Sequence, residues 1–373
     1  MSNAHHPVNP AASASASARS GEPFGVSVGV VALAQELMEI SSVSGDEQHL
    51  ADRIEATLHS APHLEVIRHG NTVAARTSRG LDTRVIVAGH IDTVPHGGVG
   101  PVRIADGRLH GRGSVDMKSA VASHLILALL LDSPRVDVTW MFYDQEEVEA
   151  ERNGLGHFHT AHPEWFVADA AVLGEPSLGG VEGGCNGTMR VEIRSHGVAA
   201  HSARPWRGDN AIHHLAAPLQ LLAGFEPETR VVDGLAYRES LNAVKVHGGI
   251  AGNVIPDSAT LTVNYRFAPD RSVNDAEAVL RELFGGVELV VVDQSPGARP
   301  GLDIPIVGEL VTASGREVGP KYGWTDVARF SALGIPAVNF GPGDGGLAHS
   351  DDESVEISEI EHTHQVLHNW LTE

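Results

Sequence analysis

The stretch Val85-Ile86-Val87-Ala88-Gly89-His90-Ile91-Asp92 runs four apolar residues into a glycine, then presents an imidazole and a carboxylate. An apolar run this short, bounded by polar residues, reads as a buried strand rather than a helix. The same texture repeats on both sides of it. Val30 to Ile40 reads as a helix, and Ser44-Gly45-Asp46-Glu47 opens a second one through about His59. Downstream lie an apolar helix from Ser119 to Leu131, a strand from Val136 to Tyr143 and a short strand from Ala170 to Leu173. Strands alternating with helices up to about Gly184 predict a layered α/β domain.

Beyond Asn186 the pattern changes. Met189, Val191 and Ile193 alternate with Arg190, Glu192 and Arg194, which marks a half-buried strand. A helix over Asn210 to Phe225 follows, then strands over Leu241 to Val246 and Thr260 to Phe267. A helix over Val273 to Phe284 and a strand over Val287 to Val292 complete the unit. That order, β-α-β-β-α-β, is ferredoxin-like. From Gly301 the α/β texture returns, with a strand over Ile335 to Phe340. The division expected is a flexible arm over 1–28, a first catalytic segment over 29–185, an inserted domain over 186–295 and a second catalytic segment over 296–373.

Composition removes several classes of function. Acidic residues number 48 against 26 basic ones, for a formal charge of −22, which argues against a sequence-independent grip on nucleic acid. No apolar run approaches the roughly 20 residues that cross a bilayer. Cys185 is the single cysteine, so an intramolecular disulfide and a thiolate-based zinc site are both excluded. This suits a reducing cytoplasm. The arm over 1–28 is rich in Ala, Ser and Pro and lacks the basic and apolar regions of a secretory signal.

In open α/β sheets, ligands collect at the carboxyl ends of the strands. Gly89-His90-Ile91-Asp92 follows the first strand quoted, Asp144-Gln145-Glu146-Glu147 follows Tyr143, and Gly174-Glu175-Pro176 follows Leu173. A glycine-rich turn and His349 follow Phe340, while Asp116 precedes the apolar helix. His90, Asp116, Glu147, Glu175 and His349 make two imidazoles and three carboxylates. These suffice to give each of two divalent ions one His and one terminal carboxylate, with the last carboxylate shared. Paired ions about 3.5–4 Å apart can activate a water and polarise a carbonyl. Asp92 is placed to hydrogen-bond the His90 ring. Glu146 is placed to take a proton from water and return it to a leaving amine. Each piece has a plain alternative: Glu146-Glu147 as the acidic start of a helix, Asp116 as a helix cap, Glu175 in an ordinary turn, His349 as one surface histidine among 22. Their joint placement at successive strand ends is what points to an enzyme.

Five motifs, in order, carry a family resemblance. They are Gly89-His90-Ile91-Asp92-Thr93-Val94-Pro95, Gly111-Arg112-Gly113-x-x-Asp116-Met117-Lys118, Glu146-Glu147, Leu173-Gly174-Glu175-Pro176 and His349-x-x-Asp352-Glu353. The chain resembles the co-catalytic zinc deacylases and carboxypeptidases, a family that includes acetylornithine deacetylases, aminoacylases and desuccinylases. The resemblance implies a discontinuous αβα zinc-hydrolase domain with an inserted ferredoxin-like domain that serves as lid and dimerisation unit. It implies two Zn2+ per subunit, with Co2+ as a substitute. By matched position, Asp116 would bridge them, His90 and Glu175 would complete one site, and Glu147 and His349 the other. Glu146 would be the general acid/base and Asp92 the partner of His90. His201 resembles the family histidine that reaches a neighbouring subunit's active site and steadies the tetrahedral oxyanion.

Further stretches narrow the likeness to the actinobacterial desuccinylase branch. Among them are Ala200-His201-Ser202-Ala203-Arg204-x-Trp206, Gly252-Asn253-Val254-Ile255-Pro256-Asp257 and Asn264-Tyr265-Arg266-Phe267. That branch implies hydrolysis of N-succinyl-LL-2,6-diaminopimelate in diaminopimelate and lysine synthesis by a cytoplasmic homodimer. The same chemistry also serves other N-acyl amino acids and peptides, so acetylornithine deacetylase, aminoacylase and carboxypeptidase activities remain alternatives. Asn253 and Arg266 look like the family's substrate-facing residues, with Arg204 and Thr325 as further candidates. A guanidinium suits a substrate rich in carboxylates; Arg266 would equally stand on the outward side of an alternating strand. The chain departs from the usual pattern at Gln145 and over Tyr322-Gly323-Trp324-Thr325-Asp326. Its acidic net charge is no obstacle to an anionic substrate, because two divalent ions and a few arginines dominate a pocket within a Debye length of about 8 Å.

Overall fold

A computed structural model describes residues 21–373. Its larger sheet has eight strands in the order Glu65–His69, Thr72–Arg76, Asp137–Tyr143, Arg84–His90, Ala170–Leu173, Ala337–Asn339, Glu182–Gly183, Gly319–Pro320. The middle four run parallel: Arg84–His90 pairs in parallel with both Asp137–Tyr143 and Ala170–Leu173, and Ala337–Asn339 with Ala170–Leu173. Asp137–Tyr143 and Ala170–Leu173 are buried along their whole length, which is why their sequences are mostly apolar rather than alternating, Asp137 and Thr139 being the exceptions. One consequence governs the rest of the molecule. His90, Tyr143, Leu173 and Asn339 all end their strands on the same edge.

Two apolar layers sandwich this sheet. The larger contains the helices Val30–Glu39, Lys118–Leu130 and Ile357–Thr372. The smaller gathers Phe158, Trp165, Phe330 and Ile335 on the opposite face. Lys118–Leu130 is buried on almost every side and packs close beneath the strand ends. A Cβ at Gly89 would lie 2.9 Å from the Met117 methyl, and one at Gly174 would lie 2.6 Å from the Ala120 Cβ. The glycines immediately before His90 and Glu175 therefore let the helix approach the edge.

The second sheet has four antiparallel strands in the order Ser240–Gly248, Ser258–Phe267, Gly187–His196, Glu288–Ser295. Numbered along the chain this is 2-3-1-4, the ferredoxin-like arrangement expected. Its core, built from Met189, Val191, Ile193, Leu261, Val263, Tyr265 and Phe267, is separate from the other two. The helix Val273–Leu283 covers it, held at its start by a capping box between Ser272 and Asp275.

Three details differ from the sequence reading. The helix expected over Asn210 to Phe225 is two pieces, Ala211–His214 and Ala216–Ala223. Unforeseen hairpins join Glu65–His69 to Thr72–Arg76, Thr229–Val232 to Leu235–Arg238 and Arg103–Ala105 to Arg108–His110. The arm expected over 1–28 includes docked residues: Phe24 is buried beneath the Arg53 guanidinium, 3.9 Å from its ring centroid, and its N–H donates to Thr57 Oγ1. Residues 1–20 of the arm lie outside the described residues.

Candidate metal centre

The parallel edge brings together the ligand candidates. His90 Nε2 lies 2.9 Å from Asp116 Oδ1. His349 Nε2 lies 3.3 Å from Asp116 Oδ2 and 2.9 Å from Glu147 Oε1. Asp116 thus stands between the two imidazoles, one to each carboxylate oxygen. His90, Asp116 and Glu147 can each offer a ligand atom, all within 4.8 Å of one another. Glu175 sits just past the end of the next strand, 5% exposed, and its Oε1 has no hydrogen-bond partner among the described residues.

The electrostatics favour added positive charge at this edge. Burial, with Asp116 close by, pushes the Glu175 carboxyl up to about 8. Burial also holds Glu146 well above the ordinary carboxylate range, with Asp326, Glu175 and Glu147 adding repulsion. His349 is raised to about 10 by its hydrogen bonds to Asp116 and Glu147. Crowded buried carboxylates facing imidazoles, one carboxylate oxygen unsatisfied, are what a pair of divalent ions would relieve. Oxygen and imidazole donors without thiolate suit zinc or its neighbours.

The His90 ring is oriented from behind. A carbonyl oxygen only accepts, so the 3.0 Å contact between His90 Nδ1 and the Asp92 carbonyl assigns the hydrogen to Nδ1 and leaves Nε2 for a ligand. The sequence reading has the Asp92 carboxylate holding that ring; its Oδ1 is 3.5 Å away. Its shorter bonds run elsewhere, to the Glu146 N–H at 3.0 Å, the Glu147 N–H at 3.1 Å and the Ser44 hydroxyl at 2.7 Å. Asp92 therefore fixes the Glu146-Glu147 turn as much as the imidazole. It is fully buried; against that burial, the His90 ring beside it, followed by the bonds from Ser44 and Glu146, holds it below the usual carboxylate range.

Two positioning residues have no role assigned by the sequence reading. Glu353 is buried, pairs with Arg112 and accepts N–H bonds from Gly113 at 2.9 Å and Val115 at 3.1 Å. Arg112 also donates to the His349 carbonyl at 3.3 Å. This clasp ties the loop of Asp116 to the loop of His349. His349 itself adopts a left-handed backbone, φ +62°, a conformation that persists only where its surroundings hold it. Both clasp residues lie inside quoted motifs, so the signal is present in the sequence without a partner to interpret it.

Two cavities flank the cluster, and Trp324 lines both. One, about 380 Å3, opens on Asp116, Glu175, Lys321 and Thr325. The other, about 490 Å3, lies between Glu146, Glu147 and His349 on one side and Arg190 and Arg266 of the second sheet on the other. Of the expected substrate contacts, Arg266 and Thr325 reach these walls. Thr325 is buried and donates to Asn339 Oδ1 at 2.9 Å, which leaves its hydroxyl engaged.

His201, Asn253 and Arg204 are placed elsewhere. Ala200–His201 pairs with Val254–Ile255, the Ser202 N–H donates to the Asn253 carbonyl and the Arg204 N–H to the His201 carbonyl. The three form one exposed ridge on the smaller domain. His201 Nδ1 accepts only from the Ala203 N–H, and none of the three lines the two cavities. Within this chain they do not join the ligand cluster.

This arrangement is accompanied by clear kinship. Residues 86–373 match the model of peptidase family M20/M25/M40, and the chain belongs to that family. It is 49% identical over 344 residues to the DapE protein of Mycobacterium tuberculosis strain H37Rv, covering 91% of this chain and 97% of that one. It is 47% identical over 354 residues to the succinyl-diaminopimelate desuccinylase of Corynebacterium glutamicum, covering 92% and 96%. In fold it matches the YXEP protein of Bacillus subtilis, a dinuclear metal-binding peptidase of the M20 family, with a TM-score of 0.67 at 16% identity over 92% of this chain and 96% of that one.

Proposed function

We propose that the chain hydrolyses N-succinyl-LL-2,6-diaminopimelate to succinate and LL-2,6-diaminopimelate, a step in diaminopimelate and lysine synthesis. The observation that carries the hydrolytic part is the meeting of His90, Asp116, Glu147 and His349 beside Glu175, with Glu146 adjoining, on one sheet edge. The choice of a succinyl group rests on the likeness to the Corynebacterium desuccinylase along almost the whole of both chains.

In this reading the centre would hold two Zn2+, exchangeable for Co2+. Asp116 would be shared between them, His90 and Glu175 would hold one ion, and Glu147 and His349 the other. Bound there, the ions supply Lewis acidity toward the amide carbonyl and make a water more acidic. Water oxygen adds to the succinyl carbonyl carbon, and the C–N bond then breaks. Glu146 accepts the proton from the water and delivers it to the departing nitrogen, so that one group serves as base and then acid. Its place is set by Asp92, which holds the Glu146 N–H. Arg266 and Thr325 face the substrate.

His201, Asn253 and Arg204 act, we propose, on the active site of a second copy of the chain, with His201 donating to the oxyanion. The smaller domain offers a surface for that pairing. Ser240–Gly248 is an edge strand with Val244 and Val246 exposed, near exposed Ile212, Leu219 and Ile250. An open edge with apolar side chains beside it suits a symmetric interface. A cytoplasmic homodimer is the expected form.

The test is succinate release from N-succinyl-LL-diaminopimelate by the zinc-loaded protein, run beside acetate release from N-acetylornithine. Preference for the succinyl compound is expected. Faster cleavage of the acetyl compound would move the reading to acetylornithine deacetylation with the same metal chemistry.

A further inference from the structure

The strands Gly187–His196 and Ser258–Phe267 place Arg266 opposite Thr188 and Asn264 opposite Arg190. Residues directly opposite in an antiparallel pair share a face, so Arg190 and Arg266 are diagonal neighbours with backbones about 7–8 Å apart. Their face is set by the alternation: Met189, Val191, Tyr265 and Phe267 point into the core, and the two arginines point the other way, into the 490 Å3 cavity beside Glu146 and His349.

The charges on this wall do not balance. Arg266 has no carboxylate within ion-pair distance and no side-chain hydrogen bond among the described residues. Burial lowers its pKa, and the positive charge of Arg190 lowers it further. Arg190 has one ion pair, a 3.5 Å contact with Asp293 at a half-exposed position. Arginines with structural partners in the same domain sit tighter: Arg230 lies 2.6 Å from Asp270, and Arg271 lies 2.7 Å from Glu239. Arg329, on the same cavity, is likewise taken, 2.5 Å from Asp326. Two guanidiniums facing one loosely held carboxylate leave a positive charge on this wall, across the cavity from Glu146, Glu147, Glu149 and Glu151.

We propose that Arg190 is a second substrate-binding residue, which leaves Asp293 to grip, together with Arg266, a substrate carboxylate remote from the amide that is cut. This deepens the desuccinylase reading and rests on it for the identity of the anion. That carboxylate comes either from the acyl chain or from the far end of the diamino acid.

The experiment uses Arg190→Gln and Arg190→Lys in the full zinc-loaded chain, with steady-state kinetics and calorimetric titration of each product separately. A charge-assisted bond of this kind predicts a rise in KM of about tenfold for Arg190→Gln with kcat nearly kept. Arg190→Lys should recover part of the loss. Weakened binding of succinate alone assigns the acyl carboxylate, and weakened binding of LL-diaminopimelate alone assigns the amine side; either supports the proposal. Unchanged KM with both titrations unchanged overturns it. If Arg190→Gln does not fold, Asp293→Asn carries the test: freeing the guanidinium should tighten one titration by a few-fold, and no tightening overturns the proposal. An unaltered chain that releases no succinate refutes the functional reading instead, and the titrations still judge Arg190.

Discussion

The sheet edge and the exposed ridge of the smaller domain both carry residues that the motifs single out, and the chain treats them differently. At the edge, each ligand candidate ends a strand or loop that others hold: the Asp92 carbonyl orients His90, Glu353 holds the Asp116 loop, and Arg112 reaches the His349 carbonyl. On the ridge, His201 and Asn253 bond only to their own neighbours and face solvent. One set is organised by contacts within a single chain. The other, in our reading, is covered by a second copy of the chain. In our reading the contrast separates binding of metal, which the edge would achieve alone, from turnover, which needs both.

The largest effect is expected at Glu146. Glu146→Gln should keep metal at the unaltered stoichiometry, measured by atomic absorption, while turnover falls by about 10²–10⁴-fold. Full activity would remove the assigned acid/base. His201→Ala should cost about 10²–10³-fold in kcat with metal affinity unchanged, as for loss of an oxyanion donor. Refolding Glu146→Gln and His201→Ala chains together then tests the ridge directly. In a mixed pair, one site has an intact Glu146 and an intact His201 from the other chain, so activity should return. A mixture as inactive as its parts would end the proposal that the ridge serves a second copy.

Glu353→Gln probes the edge. Removing the charge that holds Arg112 should loosen the Asp116 loop and weaken metal binding by about 10–100-fold, read by competition with a chromogenic chelator. Unchanged affinity would mean the loops are held without the clasp.

The smallest effect concerns what lies beneath the edge. His124 is buried, with neither ring nitrogen hydrogen-bonded among the described residues, and burial lowers its pKa from 6.5 to about 3. The folded chain keeps it neutral while the unfolded chain protonates below about 6.5. Its stabilising contribution is therefore full above pH 6.5 and lost progressively as pH falls toward 3. His124→Leu should flatten the decline in Tm between pH 7 and 4.5 relative to the unaltered chain, measured by calorimetry. Parallel declines would show that the acid sensitivity lies elsewhere.

Much of this organisation is legible in the order of residues. The apolar run Ala170–Leu173 coincides with its strand and the run ending at Tyr143 starts within a residue of Asp137–Tyr143, because a strand buried on both faces is mostly apolar and its polar flanks mark its ends. The ferredoxin-like order is legible because half-buried strands alternate. Short hairpins are not: Arg103–Ala105 and Arg108–His110 are too brief for periodicity to register. Nor is the docking of Phe24, since one aromatic in a stretch rich in Ala, Ser and Pro carries no pattern.

From the amino-acid order alone come the layered fold, the inserted unit and the candidate ligands, since all three follow from local patterns of burial and from what stands at the ends of apolar runs. Only the tertiary structure decides that Asp116 stands between His90 and His349, that Glu353 and Arg112 clasp their loops, that Arg190 faces the same cavity as Glu146, and that His201 stays apart. Each depends on residues far apart along the chain, joined by packing of sheets and helices, and periodicity within one segment holds no information about which other segment it will meet.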